Sequence, residues 1–168
     1  MLTKNQEKNV FFMLSAIVLI YLLIFNVYAI SRNNLISVYY LVFFTAFAVV
    51  MIIFQKKFFL TPGIAFGLAA WGFLSLMGEN IFINNIRLYD HYIISEILRY
   101  DQFVHALGAF FATFIVYEIL RQRIKDTNTF MFVTILVLTT LGLGALIEII
   151  ELVAVLFSKI FIDLMKFL

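Results

Sequence analysis

The sequence predicts an all-α fold, a polytopic bundle of transmembrane helices, and three observations lead to it. Of the 168 residues, 64% are hydrophobic, and the mean hydropathy is +1.06. Only 13% are charged, against about 25% in an average soluble domain, and a soluble chain of this length has too much surface to hide so much apolar side chain. The apolar residues also fall into runs of about 20, the length that crosses a bilayer. A soluble enzyme, a nucleic-acid-binding protein and a disordered chain are thereby excluded, and the lipid bilayer is the predicted surrounding.

Five apolar runs predict five transmembrane helices in a single integral membrane domain, residues 1–168. Thr61-Pro62, before the third run, is a typical helix start, with threonine as the N-cap and proline in the first turn. The chain has no cysteine, so disulfides, thiolate metal sites and cysteine nucleophiles are excluded. The predicted spans are residues 10–30, 35–54, 62–79, 101–120 and 129–157.

Lysine and arginine in the short connections predict the orientation in a plasma or inner membrane. If the N-terminus is cytoplasmic, seven basic residues lie on the cytoplasmic side and five on the opposite side. The seven are Lys4, Lys8, Lys56, Lys57, Arg121, Arg123 and Lys125. This majority predicts a cytoplasmic N-terminus and a non-cytoplasmic C-terminus.

The longest connection, residues 80–100, is predicted to contain a short interfacial helix capped by Asp90. Its apolar face would be formed by Ile93, Ile94, Ile97 and Leu98. Such a helix would lie in the membrane interface or fold back over the bundle.

Ionisable side chains inside the apolar spans mark the candidate functional site, since each costs roughly 2.5–3.5 kcal/mol at mid-membrane. With a rise of about 1.5 Å per residue, they fall at a similar depth in the outer third of the bilayer. They are Glu79, Asp101, His105, Glu148 and Glu151. Three separate helices therefore place their acids at one level.

Small residues share a helix face with these charges. Asp101, His105 and Gly108 lie on one face of the fourth helix, and Gly144 and Glu148 lie on one face of the fifth. Because small residues let membrane helices approach closely, these faces are predicted to meet inside the bundle.

Glu148 and Glu151 need a compensating positive charge, because two carboxylates one turn apart repel each other in apolar surroundings. Three sources stay open: a divalent cation, a shared proton, and Arg99 folding down from the connection. A cation would be held by His105, Glu148, Glu151 and Glu79, and such ligands fit Zn, Mn, Fe or Mg.

Simpler structural interpretations compete with a functional one. Asp101 would be only the N-cap of the fourth helix. Glu79 would be a solvated helix end, and His105 a hydrogen-bonded histidine of the core. The pair of Glu148 and Glu151 is the hardest to explain in this way.

Two segments resemble the YjdF-like family of small inner-membrane proteins. They are Leu-Arg-Tyr-Asp-Gln-Phe-Val-His-Ala-Leu-Gly at residues 98–108 and Leu-Gly-Leu-Gly-Ala-Leu-Ile-Glu-Ile-Ile-Glu at residues 141–151. That family has a Tyr-Asp-x-x-x-His-x-x-Gly-like segment and a later Glu-x-x-Glu pair. The resemblance covers roughly residues 70–155 and implies Asp101, His105, Glu148 and Glu151 as shared polar positions, with no activity attached. The Asp-x-x-x-His segment alone is similar to VanZ-type membrane proteins, which implies a cell-envelope or glycopeptide-related role.

The leading functional hypothesis is an acid-histidine site near the non-cytoplasmic face. It would catalyse metal- or acid-base-assisted hydrolysis or transfer on a lipid-like or cell-envelope substrate. His105 would be the general base or a ligand, Asp101 would orient it, and Glu148 and Glu151 would be ligands or proton acceptors. Two alternatives are a proton- or cation-coupled transporter module, with an oligomer supplying further charges, and a scaffold or partner subunit with a structural polar cluster.

Overall fold

The computed structural model describes residues 3–32, 35–54, 61–124 and 128–165, and several side chains within these ranges, including that of Glu151, lie outside the description. Over this part the chain forms five long α-helices that coincide with the five predicted helical segments. They are α1 (Lys4–Ser31), α2 (Leu35–Phe54), α3 (Pro62–Asn80), α4 (Tyr100–Arg123) and α5 (Thr129–Met165). α4 and α5 continue beyond their predicted ends at residues 120 and 157.

Three of these helices are long and apolar enough to cross a membrane. The qualifying segments are Asn5–Ser31, Tyr100–Arg123 and Thr129–Ile150, and α2 contributes a shorter apolar stretch, Phe44–Ile53. These assignments cover only the described residues. A membrane bundle is therefore supported, whereas the crossing of α2 and α3 and the orientation of the termini stay predictions.

The start of α3 confirms the predicted helix signal. Thr61 occupies the N-cap with an extended backbone, and Pro62 is the first helical residue. The backbone N–H of Ile64 donates to Thr61 Oγ1 at 3.4 Å, which satisfies one of the otherwise unpaired donors of the first turn.

α3 lies at the centre of the bundle, where it contacts α1, α2 and α4. Its side chain Leu76 joins a buried apolar cluster with Leu22, Ala29, Leu41 and Phe44 from α1 and α2. α5 contacts α4 and α2 instead, and none of its side chains described over Thr129–Ile150 is buried. The loose packing of α5 leaves a cavity between it and α3.

The predicted close contacts at the glycines are confirmed for one helix and wrong for the other. A Cβ added to Gly108 would lie 2.5 Å from Trp71 Nε1, so α4 and α3 approach closely there. A Cβ added to Gly144 would meet no atom within 4 Å. The expected contact of Gly144 with another helix is absent because this residue faces the cavity.

The connection between α3 and α4 forms two small hairpins, so the predicted interfacial helix is wrong. β1 (Phe82–Ile83) pairs antiparallel with β2 (Ile86–Arg87), and β3 (Tyr92–Ile94) pairs antiparallel with β4 (Leu98–Arg99). A single 3₁₀ turn, Leu88–Asp90, joins the two pairs. We call residues 81–99 the hairpin segment.

Turn chemistry and side-chain shape explain this outcome. Asn84 and Asn85 both have positive φ, 52° and 64°, as a two-residue hairpin turn with right-handed strand twist requires. The β-branched Ile93 and Ile94 favour strand over helix. Asp90 caps no helix, because its carboxylate accepts a hydrogen bond from Arg87 Nε at 3.1 Å.

Candidate functional site

Three of the predicted site residues come together in an acid-histidine cluster formed by Asp101, His105 and Glu148. His105 Nε2 lies 3.2 Å from Asp101 Oδ1, and His105 Nδ1 lies 3.4 Å from Glu148 Oε1. Each ring nitrogen thus faces a carboxylate, one from its own helix and one from α5. The contact between α4 and α5 places His105 and Glu148 at one level of the bundle, while their depth in the bilayer stays a prediction.

The first turn of α4 places Asp101 and His105 on one face. The N-cap residue is Arg99, whose backbone N–H donates to Gln102 Oε1 at 2.9 Å. Asp101 follows within the helix, four residues before His105, so the side chains of the two meet. Asp101 is therefore not the N-cap of α4.

Tyr100 fixes the beginning of α4 against the rest of the molecule. Its backbone N–H donates to His91 O at 2.8 Å in the hairpin segment. Its hydroxyl donates to Leu74 O at 3.0 Å on α3. These two contacts set the height of the acid-histidine cluster relative to the central helix.

The acid-histidine cluster borders a cavity of about 690 Å³ between α2, α3, α4 and α5. This volume lies within the usual range for a site that holds a drug-sized ligand, roughly 300–1,000 Å³. Most of the lining is apolar. The polar side chains in the lining are Ser75, Tyr89, His105, Thr139, Thr140 and Glu148.

Two of the three members of the acid-histidine cluster line the cavity, and their exposure does not separate Asp101 from His105, since both side chains are 37% exposed. His105 and Glu148 both line the cavity, whereas Asp101 is not among the lining residues in the described part of the chain. The side chain of Glu148 is 67% exposed and that of His105 is 37% exposed. Asp101 therefore contacts the imidazole away from the cavity lining, while His105 and Glu148 border the cavity.

Glu79 forms an ion pair with Arg87 and does not join the acid-histidine cluster, where it was predicted to be a metal ligand. Its carboxylate, only 2% exposed, accepts a hydrogen bond from Arg87 Nη1 at 3.2 Å, and Arg87 Nε also reaches Asp90. The buried acid is thus compensated by the arginine at the end of the first hairpin. It is not a solvated helix end.

The predicted metal ligands do not converge within the described part of the structure. No group of three carboxylate or histidine side chains lies close enough together there to hold a metal ion. Asp101 and Glu148 approach opposite edges of the imidazole, which separates the two carboxylates. The side chain of Glu151 lies outside the described residues, so its predicted role as a ligand stays a prediction.

Two residues of the site region are absent from the sequence-based candidates, Arg87 and Tyr89. Tyr89 lines the cavity, its ring centroid lies 6.1 Å from that of Tyr100, and its ring occupies the space beside Gly78. The available signal was Asn84-Asn85 between apolar residues, which is typical of a tight hairpin. A hairpin there returns the chain to the end of α3 and so brings Arg87 beside Glu79.

Comparison with known proteins identifies the family. No curated protein and no solved structure matches the chain. Residues 11–163 match the model of the family described as "Predicted membrane protein (DUF2238)", which fits the resemblance to YjdF-like proteins. The likeness to VanZ-type proteins stays a prediction. Because this match covers nearly the whole sequence, the chain belongs to the DUF2238 family of membrane proteins.

Proposed function

We propose that this protein is a membrane-embedded acid-base catalyst that hydrolyses, or transfers a group from, a lipid-like or cell-envelope substrate held in the cavity. The observation that carries the proposal is the position of His105 between two carboxylates at the wall of an apolar cavity. An apolar pocket with a few convergent polar groups is the usual form of a small-molecule site.

The acid-histidine cluster has the parts that acid-base catalysis needs. Asp101 orients His105 through Nε2 and stabilises the imidazolium form electrostatically. Glu148, opposite Nδ1, is the proton acceptor on the cavity side. His105 Nδ1 and Glu148 Oε1 face each other at 3.4 Å, and a proton passed between them after each turnover restores both groups without a further residue.

The proposed step is hydrolysis of an ester bond. Glu148 takes a proton from a water molecule whose oxygen attacks the acyl carbon, and the bond from that carbon to the leaving oxygen breaks. The imidazolium of His105 gives its proton to this leaving oxygen, which departs as an alcohol. Glu148 then passes its proton to the neutral imidazole, and an alcohol in place of water makes the same sequence a transfer.

A divalent cation remains a proposed addition to this site. It would bind to the cavity side of Glu148, with Glu151, one turn further along α5, as the next carboxylate. Hard oxygen ligands suit Mg, Mn, Zn or Fe without deciding between them. Element analysis of the purified full chain, with Glu148→Gln/Glu151→Gln as the comparison, tests this version.

The catalytic proposal is tested with the full chain in liposomes made from a total polar lipid extract of the expression host. Mass spectrometry follows the lipids over time. We expect one lipid class to decline and its hydrolysis or transfer product to appear. His105→Gln should slow the reaction by about 10²–10⁴-fold, the usual contribution of a general acid or base.

Glu118→Gln is the matched control. Glu118 is also a carboxylate on α4, but it pairs with Arg121 at the other end of the helix, at 2.6 Å. Its variant should react at the wild-type rate. A lipid composition that the wild-type protein leaves unchanged would overturn the proposal.

A second candidate function, proton-coupled transport, is favoured by the same contact between His105 and Glu148. An imidazole placed between two carboxylates can pass a proton from one to the other. A pH-sensitive dye enclosed in liposomes would detect proton flux driven by a membrane potential. Flux in wild type that Glu148→Gln abolishes, without any lipid product, would favour this candidate.

A further inference from the structure

We propose that the cavity binds one unbranched hydrocarbon chain, with its polar head at His105 and Glu148, and that Gly144 keeps open the passage along which the chain lies. The position of the head rests on the proposed function, whereas the chain-binding cavity does not. The ligand class is therefore a single-chain amphiphile taken up from the membrane.

The distribution of polar groups gives the cavity a direction. The ionisable side chains of the lining, His105 and Glu148, lie at one end, together with Tyr89 of the hairpin segment. Further along, Thr139 and Thr140 carry uncharged hydroxyls, and that of Thr140 already donates to Leu136 O at 2.9 Å. The wall continues along α4 to Ile119 and Leu120, near the opposite end of that helix. An amphiphile with one polar end and one long apolar end matches this distribution.

The length of the lined wall sets the length of the chain. From His105 to Leu120 the wall extends about 22 Å along α4, and from Glu148 to Thr139 about 14 Å along α5. An extended chain advances about 3.6 Å for every three bonds. A hydrocarbon of similar bond geometry therefore needs about 12 to 18 carbons to fill this length.

Gly144 lies about 6 Å from Glu148 along the axis of α5, directly on the proposed path. It lines the cavity, and a Cβ added there would meet no atom within 4 Å. A larger side chain would thus project into the empty space instead of striking another helix. Substitution at this position should obstruct the chain while leaving the fold intact.

Gly142 offers a matched control on the same helix. A Cβ added to Gly142 also meets no atom within 4 Å, but this residue is not among those lining the cavity. At either position, leucine replaces a glycine within α5 and adds the same apolar side chain. Only the variant at Gly144 should affect binding.

The test uses photo-crosslinking of the full chain in liposomes. The probe is a lysophosphatidylcholine with a saturated chain of about 16 carbons and a diazirine near its terminal methyl group. In the wild type we expect crosslinks at the inner wall of the cavity, at Ile115, Ile119 or Leu120. Phe114, which is exposed on the outer surface of α4, reports labelling by bulk lipid.

Gly144→Leu should lose the crosslinks at the inner wall and keep those at Phe114, whereas Gly142→Leu should match the wild type. The inference would be overturned if the wild type showed no labelling at the inner wall. It would also be overturned if Gly144→Leu and Gly142→Leu were labelled equally there. Crosslinking without turnover in the wild type would count against the proposed catalysis alone.

Discussion

At the scale of single residues, glycines that look equivalent in the sequence have different roles. Gly108 allows α4 to approach Trp71, while Gly142 and Gly144 have open space where a Cβ would be. The difference depends on which neighbour lies opposite, and spacing along a helix does not contain that information. The stability of a variant at one of these glycines should therefore depend on the side chain opposite it and not on its spacing along the helix.

Gly108→Ala should lower the free energy of unfolding by about 1–3 kcal/mol, the usual cost of overpacking a tight contact. The added methyl group would lie 2.5 Å from Trp71 Nε1, so the ring or the helix must shift. Gly142→Ala is the control, and it should be neutral or stabilising by up to about 1 kcal/mol, because alanine favours helix. Denaturation in mild detergent measures both, and equal stability of the two variants would contradict the contact.

A second prediction at this scale concerns the buried acid Glu79. Arg87→Met should destabilise the protein by about 1–3 kcal/mol, since it removes a hydrogen-bonded charge from a carboxylate that is 2% exposed, although the arginine itself is 40% exposed. Adding Glu79→Gln to that variant should recover part of the loss, because a neutral amide is cheaper to bury than a carboxylate. A double-mutant cycle of thermal unfolding measures the coupling, and strictly additive effects would show that the pair contributes nothing.

At the scale of elements, the hairpin segment shows where reasoning from periodicity reaches its limit. The spacing of Ile93, Ile94 and Ile97 is compatible with one face of a helix, so the pattern predicted one. The backbone follows the turns instead, with positive φ at Asn84, Asn85 and Glu96. In a segment this short, turn residues and β-branched side chains outweigh apolar spacing.

The first hairpin should respond to changes at Asn85, whose φ is 64°. Asn85→Val should destabilise the turn by about 1–2 kcal/mol, because a β-branched residue pays the full steric cost of this conformation. Asn85→Gly should match or exceed the wild type, since glycine adopts positive φ freely. Proteolysis at the hairpin segment reports the difference, and identical cleavage of both variants would contradict the turn.

Much of the site follows from the sequence for reasons that can be stated. Asp101 and His105 are local neighbours on one helix, and equal depth in antiparallel helices brings Glu148 to them. The partner of Glu79 depends on the path of a loop, and the cavity depends on how loosely α5 packs. Neither the partner of Glu79 nor the cavity can be predicted from the periodicity of a single segment.

At the scale of the whole molecule, the position of α3 bears on the number of crossings. With 19 residues, α3 is about 28 Å long, close to the roughly 30 Å of a bilayer core. Tyr100 contacts Leu74, and Arg87 contacts Glu79, so the end of α3 lies beside the start of α4. The length and neighbours of α3 agree with the prediction that it crosses the membrane alongside α4, and the crossings of α2 and α3 stay predictions.

Five crossings and the basic residues of the connections predict the topology. A reporter fused after Leu168 should be non-cytoplasmic, and one inserted between Ile124 and Asn128 should be cytoplasmic. The same reporter fused before Met1 should also be cytoplasmic. If all three reporters lie on the same side of the membrane, the count of five crossings is wrong.

The aromatic wall of the cavity has a spectroscopic consequence. Trp71 is the single tryptophan of the chain, and it lines the cavity with its ring next to Phe44 and Phe47. Tryptophan emission from the intact protein therefore comes from the cavity wall alone. A brominated or spin-labelled acyl chain that enters the cavity should quench this emission, so the protein carries its own optical sensor of occupancy.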